Sequence, residues 1–180
     1  FQLGAGGKGA NQAMAARRLG SEVLMVTRVG SDLFADNTIK NFEDNGIDTK
    51  YVIRTEGTSG VAPIFVDKDS NNRIIIIKGA NAKLSAADID DAAEDIKACK
   101  LIVLQLEIDI ETVYYAIEFG KSHDIPVLLN PAPADPNLDM DRVKDCTYFV
   151  PNETELALLT DMPVESEEEI EAAARKLLDA

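Results

Sequence analysis

The sequence predicts an α/β protein with a mainly parallel sheet. Three observations carry that prediction. Helical and strand patterns alternate along the 180 residues. Leu101–Leu106 reads as a buried strand, followed by a helix and a second short apolar strand. One segment, Tyr51–Lys78, interrupts the alternation with strand patterns that have no helix between them.

The elements follow in order. Gly7–Leu19 reads as a helix of small residues, closed by Gly20. Glu22–Val29 is a strand, and Leu33–Asn45 a helix with Ile39 and Phe42 on one face, ended by Gly46. Gly60–Val66 and Arg73–Lys78 flank a polar turn, Asp67–Asn72, which is a hairpin signal. Such a ribbon in an α/β protein can cover a site or simply decorate the surface. Ser85–Ala98 is a helix opening on a capping box, Ser85 with Asp88. Ile110–Ser122 is a helix and Val127–Leu129 a short strand before a proline-rich loop. Tyr148–Val150 is a strand, and Glu153–Leu159 and Glu167–Asp179 are helices. The acidic run Glu165–Glu171 complements the dipole of the last helix. Asp135, Asp139 and Asp141 lie in a loop without the regularity of metal ligands. His123 reads as a surface residue.

Composition narrows the function. Hydrophobic residues make up 46% and charged residues 28%, which fits a folded globular chain and excludes a disordered one. A net charge of −14 disfavours nucleic acid and anionic membrane surfaces as partners. The longest aliphatic runs, Ile74–Ile77 and Leu101–Leu104, are too short to span a bilayer. With no signal-peptide pattern visible, the expected location is the cytoplasm. Cys99 and Cys146 form no C-x-x-C pair and are expected to be buried, reduced thiols. The chain opens on Phe1 and ends at Ala180 within an amphipathic pattern, so a piece of a longer protein is expected.

The glycine-rich start admits three readings. Gly4, Gly6 and Gly9 match G-x-G-x-x-G, but a full preceding strand is lacking and no acid ends the next strand, so a dinucleotide-binding oxidoreductase is a remote alternative. A P-loop fails because Gly9 follows Lys8. In the third reading, Gly6 and Gly7 let a ligand approach a helix start. Lys8, Asn11 and Gln12 share one side of that helix, and a lysine with an amide suits the hydroxyls of a sugar. A solvated polar face on an alanine-packed helix explains the spacing equally well.

The string Gly6-Gly7-Lys8-Gly9-Ala10-Asn11-Gln12-Ala13 resembles the signature of the ribokinases, within the PfkB family of carbohydrate kinases. Further segments agree in order: Thr58-Ser59-Gly60-Val61-Ala62, Gly79-Ala80-Asn81-Ala82, Gln105-Leu106-Glu107, Asn130-Pro131-Ala132-Pro133-Ala134 and Pro151-Asn152-Glu153-Thr154-Glu155. The resemblance implies a three-layer α/β/α core with a small β lid, incomplete at both ends. Residues 1–5 and 51–78 would be lid strands and the remainder core. Gly7, Lys8, Asn11 and Glu107 would bind the sugar, with Ala62 and Ile74 closing from the lid. Asn152 and Glu155 would place the nucleotide phosphates and Mg²⁺, Glu155 through water. The same pair has the spacing of a capping box.

The implied reaction is transfer of the γ-phosphate of ATP to the 5-hydroxyl of D-ribose. Alternatives are another pentose, a nucleoside, or a non-catalytic sugar-binding relative. The family's Gly-Ala-Gly-Asp motif, which holds the catalytic base, has no match in the sequence. Its early Asn-x-Asp motif would precede Phe1, and its adenine and K⁺ segments would follow Ala180. The 180 residues alone are therefore expected to be inactive. A homodimer through the lid is the implied assembly.

Overall fold

The computed structural model describes residues 4–66, 68 and 72–179. They form two compact units that divide between Ala92 and Ala93.

In the first unit, Lys8–Arg18 (α1) is followed by Leu24–Val29 (β1), Leu33–Asp44 (α2) and Asp48–Arg54 (β2). β1 and β2 pair in parallel, from Leu24↔Asp48 to Val29↔Arg54, with a register shift between Leu24 and Val26. Ala13 of α1, Phe42 of α2 and Ile47 are buried together, with Met14, Val23, Met25 and Val52 packed around them. The alanine-rich helix thus uses its small face for close packing and leaves Asn11 exposed. Ile64–Val66 (β3) and Asn72–Ile74 (β4) form the expected antiparallel hairpin. An isolated bridge, Val61↔Ile77, extends it toward its root.

Two expectations about this ribbon narrow. Residues 51–54 belong to β2 and pair in parallel with β1, so they are not ribbon strands. Residues 1–3 lie outside the described residues, and Gly4 and Ala5 are in no strand.

After a 3-10 turn, Gly79–Lys83, the expected helix from Ser85 is split. Ala86–Asp91 (α3) ends at Ala92, and Ala93–Lys97 (α4) opens the second unit. Ala92 is fully buried, and its N–H bonds back three residues to the Ile89 carbonyl rather than four. That tightening breaks the helical ladder. The predicted capping box is present: the Asp88 Oδ2 accepts from the Ser85 N–H at 2.9 Å. Asp88 also takes a two-pronged ion pair from Arg28 of β1, at 2.6 and 2.8 Å.

In the second unit, Ile102–Leu104 (β5), Ile110–Ser122 (α5), Val127–Leu129 (β6), Met140–Val143 (α6), Tyr148–Phe149 (β7), Glu153–Thr160 (α7) and Glu167–Leu178 (α8) follow α4. β5, β6 and β7 form one parallel sheet in that order. Val127 and Leu129 of β6 pack with Val113, Tyr114 and Ile117 of α5, and with Leu138 and Val143. A Cβ on Gly120 would collide with Val127, so the glycine sets how closely α5 approaches β6.

The short α6 is a departure from the sequence reading, which left Asp139 and Asp141 in a loop. Asp139 caps it by accepting from the Asp141 N–H at 3.1 Å. Cys99 and Cys146 are free but only half-buried, and burial pushes the Cys146 thiol up to about 12. His123 is exposed and stacks on Phe119, with ring centroids 4.2 Å apart. No helix among the described residues is long and apolar enough to cross a membrane.

Candidate functional site

The first unit carries one group of the expected residues. Gly7 is the N-cap of α1 with φ 94°, a conformation that favours glycine. It offers no side-chain cap, and the first turn holds no acidic residue. At this end the helix dipole favours electron-rich groups. A Cβ at Gly4 or Gly6 would meet no described atom within 4 Å beyond its chain neighbours. Lys8 is half-buried and Asn11 exposed, one helical turn apart. Ala62 is exposed near the root of the ribbon. Ile74 pairs with Ile64 across it by backbone register, and its side chain lies outside the described residues.

The second unit carries the other group, at the carboxyl ends of its parallel strands, where open α/β sheets place ligands. Glu107 lies three residues beyond β5 and is half-buried. Its loop is tied down, because the Leu106 N–H donates to the Ala132 carbonyl at 3.0 Å. Asn130 draws the three strand ends together. Its N–H donates to the Leu104 carbonyl and its side-chain amide to the Val150 carbonyl, both at 3.0 Å.

Two residues past Val150, Asn152 caps α7. Its Oδ1 accepts from the Glu155 N–H at 2.8 Å, and its own N–H donates to Glu155 Oε2 at 2.8 Å. The Asn152 side-chain amide reaches Glu155 Oε1 at 3.1 Å. The capping reading of this pair is thus fully realised, with Glu155 buried and Asn152 exposed. Each carboxylate oxygen keeps one lone pair for a further donor.

Sequence reasoning gave no role to two features. Asn130 was visible only as part of a proline-rich string, because its partners lie 20 or more residues away. The Asp32–Ser59 contact was equally hidden: Ser59 is buried and donates its hydroxyl to Asp32 at 2.7 Å. Hydrogen bonds from the Ser59 hydroxyl and backbone hold the Asp32 carboxyl below the usual carboxylate range. The available signal was an aspartate directly before a helical run.

Among the described residues, no three His, Cys, Asp or Glu side chains converge as a metal site. A single buried carboxylate still fits Mg²⁺ held through water, since that ion keeps its waters and takes other ligands from phosphates.

Comparison with known proteins gives these groups a context. The chain matches the description "pfkB family carbohydrate kinase" over residues 1–180. It is 63% identical over 180 residues to a deoxyribokinase of Salmonella typhi, covering 99% of this chain and 59% of that one. It is 40% identical over 159 residues to a ribokinase of Bacillus subtilis, covering 88% and 54%. An Arabidopsis thaliana ribokinase complexed with ribose and ATP superposes with a TM-score of 0.91 at 31% identity, covering 99% of this chain and 58% of that one. The chain therefore spans less than two thirds of the length of these relatives, and it shares their ribokinase-like α/β fold. By its match from end to end, the chain belongs to the pfkB family of carbohydrate kinases.

Proposed function

We propose that these residues form the sugar-holding and phosphate-orienting part of an ATP-dependent kinase that phosphorylates the 5-hydroxyl of a pentose. The observation that carries the reading is the 63% identity, over 99% of the chain, to a deoxyribokinase. It makes 2-deoxyribose the first substrate to test, ahead of the ribose expected from the sequence motifs. Ribose stays the second reading, supported by the ribokinase relatives and by the neighbour bound to ribose and ATP.

In this reading the Lys8 ammonium donates to a sugar hydroxyl and the Asn11 amide donates and accepts. Glu107 accepts from a sugar hydroxyl. Asn152 donates its remaining side-chain N–H to the nucleotide phosphates. Glu155 holds Asn152 in place and would accept from water carried by Mg²⁺. Mg²⁺, bound with ATP, supplies positive charge against the phosphate oxygens. A monovalent cation remains part of the proposal, and none of the residues assigned above holds it. Ala62, on the ribbon, covers the sugar and keeps water from competing with its hydroxyl.

The test is ADP release from the product of the full reading frame, supplied with ATP, Mg²⁺ and K⁺. Deoxyribose, ribose, fructose, a nucleoside and no sugar are compared. Turnover with deoxyribose at a kcat/KM above that for ribose supports the proposal. Turnover with ribose alone moves the specificity to the second reading. No turnover by a folded protein with any sugar favours a non-catalytic sugar-binding relative.

A further inference from the structure

We propose that Asp32 and Ser59 are positioning residues that pin the root of the antiparallel ribbon, so that it closes over the sugar from one fixed place. The proposal deepens the kinase reading and rests on the ribbon being the cover of that site.

Within the first unit, the ribbon is entered through Thr58-Ser59-Gly60 and left through Lys78-Gly79-Ala80. Ser59 is 4% exposed, one of few buried polar residues among those described. Its hydroxyl donates to Asp32 Oδ1 at 2.7 Å and accepts from the Gly30 N–H at 3.0 Å. Its own N–H donates to Asp32 Oδ2 at 2.8 Å. Asp32 is itself fixed as the N-cap of α2, where it accepts from the Ala35 N–H at 2.9 Å. The Asp32–Ser59 pair therefore joins Gly30 just after β1, the start of α2 and the outgoing leg of the ribbon.

The returning leg is pressed against the same point. Gly79 has φ 50°, and a Cβ there would lie 2.5 Å from the Ser59 carbonyl oxygen. The Ala80 N–H donates to the Thr58 carbonyl at 2.9 Å. Gly60 is equally confined, with Asn81 Nδ2 2.5 Å from where its Cβ would stand. Both legs thus pass a tight, glycine-lined neck held by a buried serine.

Beyond the neck the character changes. Every described side chain from residue 62 to residue 78 is exposed. The strands are joined there by backbone bonds, Val61 N–H to the Ile77 carbonyl at 3.0 Å and the reverse at 2.9 Å. A segment with few buried side chains opens at low cost, so its motion is governed by where it is anchored. The Asp32–Ser59 contact is that anchor, three residues before Ala62, which in the proposed reading closes on the sugar.

The test uses the full-length gene product. Ser59→Ala removes the hydroxyl. Asp32→Asn keeps the helix cap, since asparagine caps as well as aspartate, but replaces an acceptor with a donor. Each is expected to raise the sugar KM about tenfold, leave kcat within about twofold, and release more ADP per sugar phosphate formed. Phe42→Leu, in the core away from the ribbon, lowers the melting temperature and leaves those quantities unchanged. If Ser59→Ala does not fold, Asp32→Asn carries the test alone. Unchanged KM and coupling in the folded variants, or equal changes in Phe42→Leu, overturn the proposal. Hydrogen exchange separates it from the substrate reading. Faster exchange at Val61 and Ile77 with β2 unaltered supports a pinned root even if no tested sugar is phosphorylated, and wild-type rates there contradict it.

Discussion

Asn152 caps a helix and, in the proposed reading, also faces the nucleotide. Its carbonyl oxygen caps α7 and its amide fixes Glu155, leaving one N–H and one lone pair outward. The two roles can be separated by mutation. Asn152→Ala should cost about 1 kcal/mol of stability through the lost cap. Asn152→Ser should keep a capping oxygen and most of the melting temperature, yet raise the KM for ATP, because the amide N–H offered to phosphate is gone. A thermal melt beside ATP titrations distinguishes them. Asp88 bears a different burden. Burial alone would raise its pKa, but the two-pronged Arg28 pair and the Ser85 bonds outweigh it and hold the carboxyl below its ordinary value. Its contribution is therefore present above the unfolded carboxylate pKa and is lost as pH falls through the lowered folded value. Asp88→Asn should destabilise the fold at pH 7 and flatten the acid side of its stability profile, measured by urea unfolding against pH. At this scale the sequence was legible wherever partners are three residues apart, as in the Ser85–Asp88 and Asn152–Glu155 boxes. Arg28–Asp88, separated by 60 residues, left no local sign.

Among elements, α5 and β6 were legible with both boundaries intact, because a continuous apolar run and a clear helical period state them directly. Their closeness depends on Gly120. Gly120→Ala should lower stability by about 1–3 kcal/mol, the usual cost of overpacking, read as a lower urea midpoint. The helix from Ser85 was legible at its start and not at its break, since Ala92 favours helix by itself and only burial tightens its turn. The ribbon was legible as a hairpin from its polar turn, but its limits were not, because β2 carries the same β-branched residues and differs only in its partner. Phe65, Ile75 and Ile76 are each at least half exposed on that ribbon. We propose that this apolar surface is where two copies of the full protein meet. Ile76→Lys should then convert a dimer to a monomer in sedimentation, and an unchanged mass would set that assembly aside.

For the whole molecule, the net charge of −14 weighs against polyanionic partners, and in the proposed reading the nucleotide's phosphates bring their own metal. Family and fold were legible because a glycine-rich string and its companions are read in order, independent of contacts. The sugar was not, since one hydroxyl separates ribose from deoxyribose and a single contact can decide between them. The central claim is that the strand-end carboxylate of this chain holds the sugar while the α7 cap holds the nucleotide. Steady-state kinetics of Glu107→Gln in the full-length gene product test it most directly. The account predicts a KM for deoxyribose raised on the order of a hundredfold, the size of a lost charged hydrogen bond, with the KM for ATP and the melting temperature unchanged. A Glu107→Gln enzyme that binds both substrates as the wild type does would contradict it.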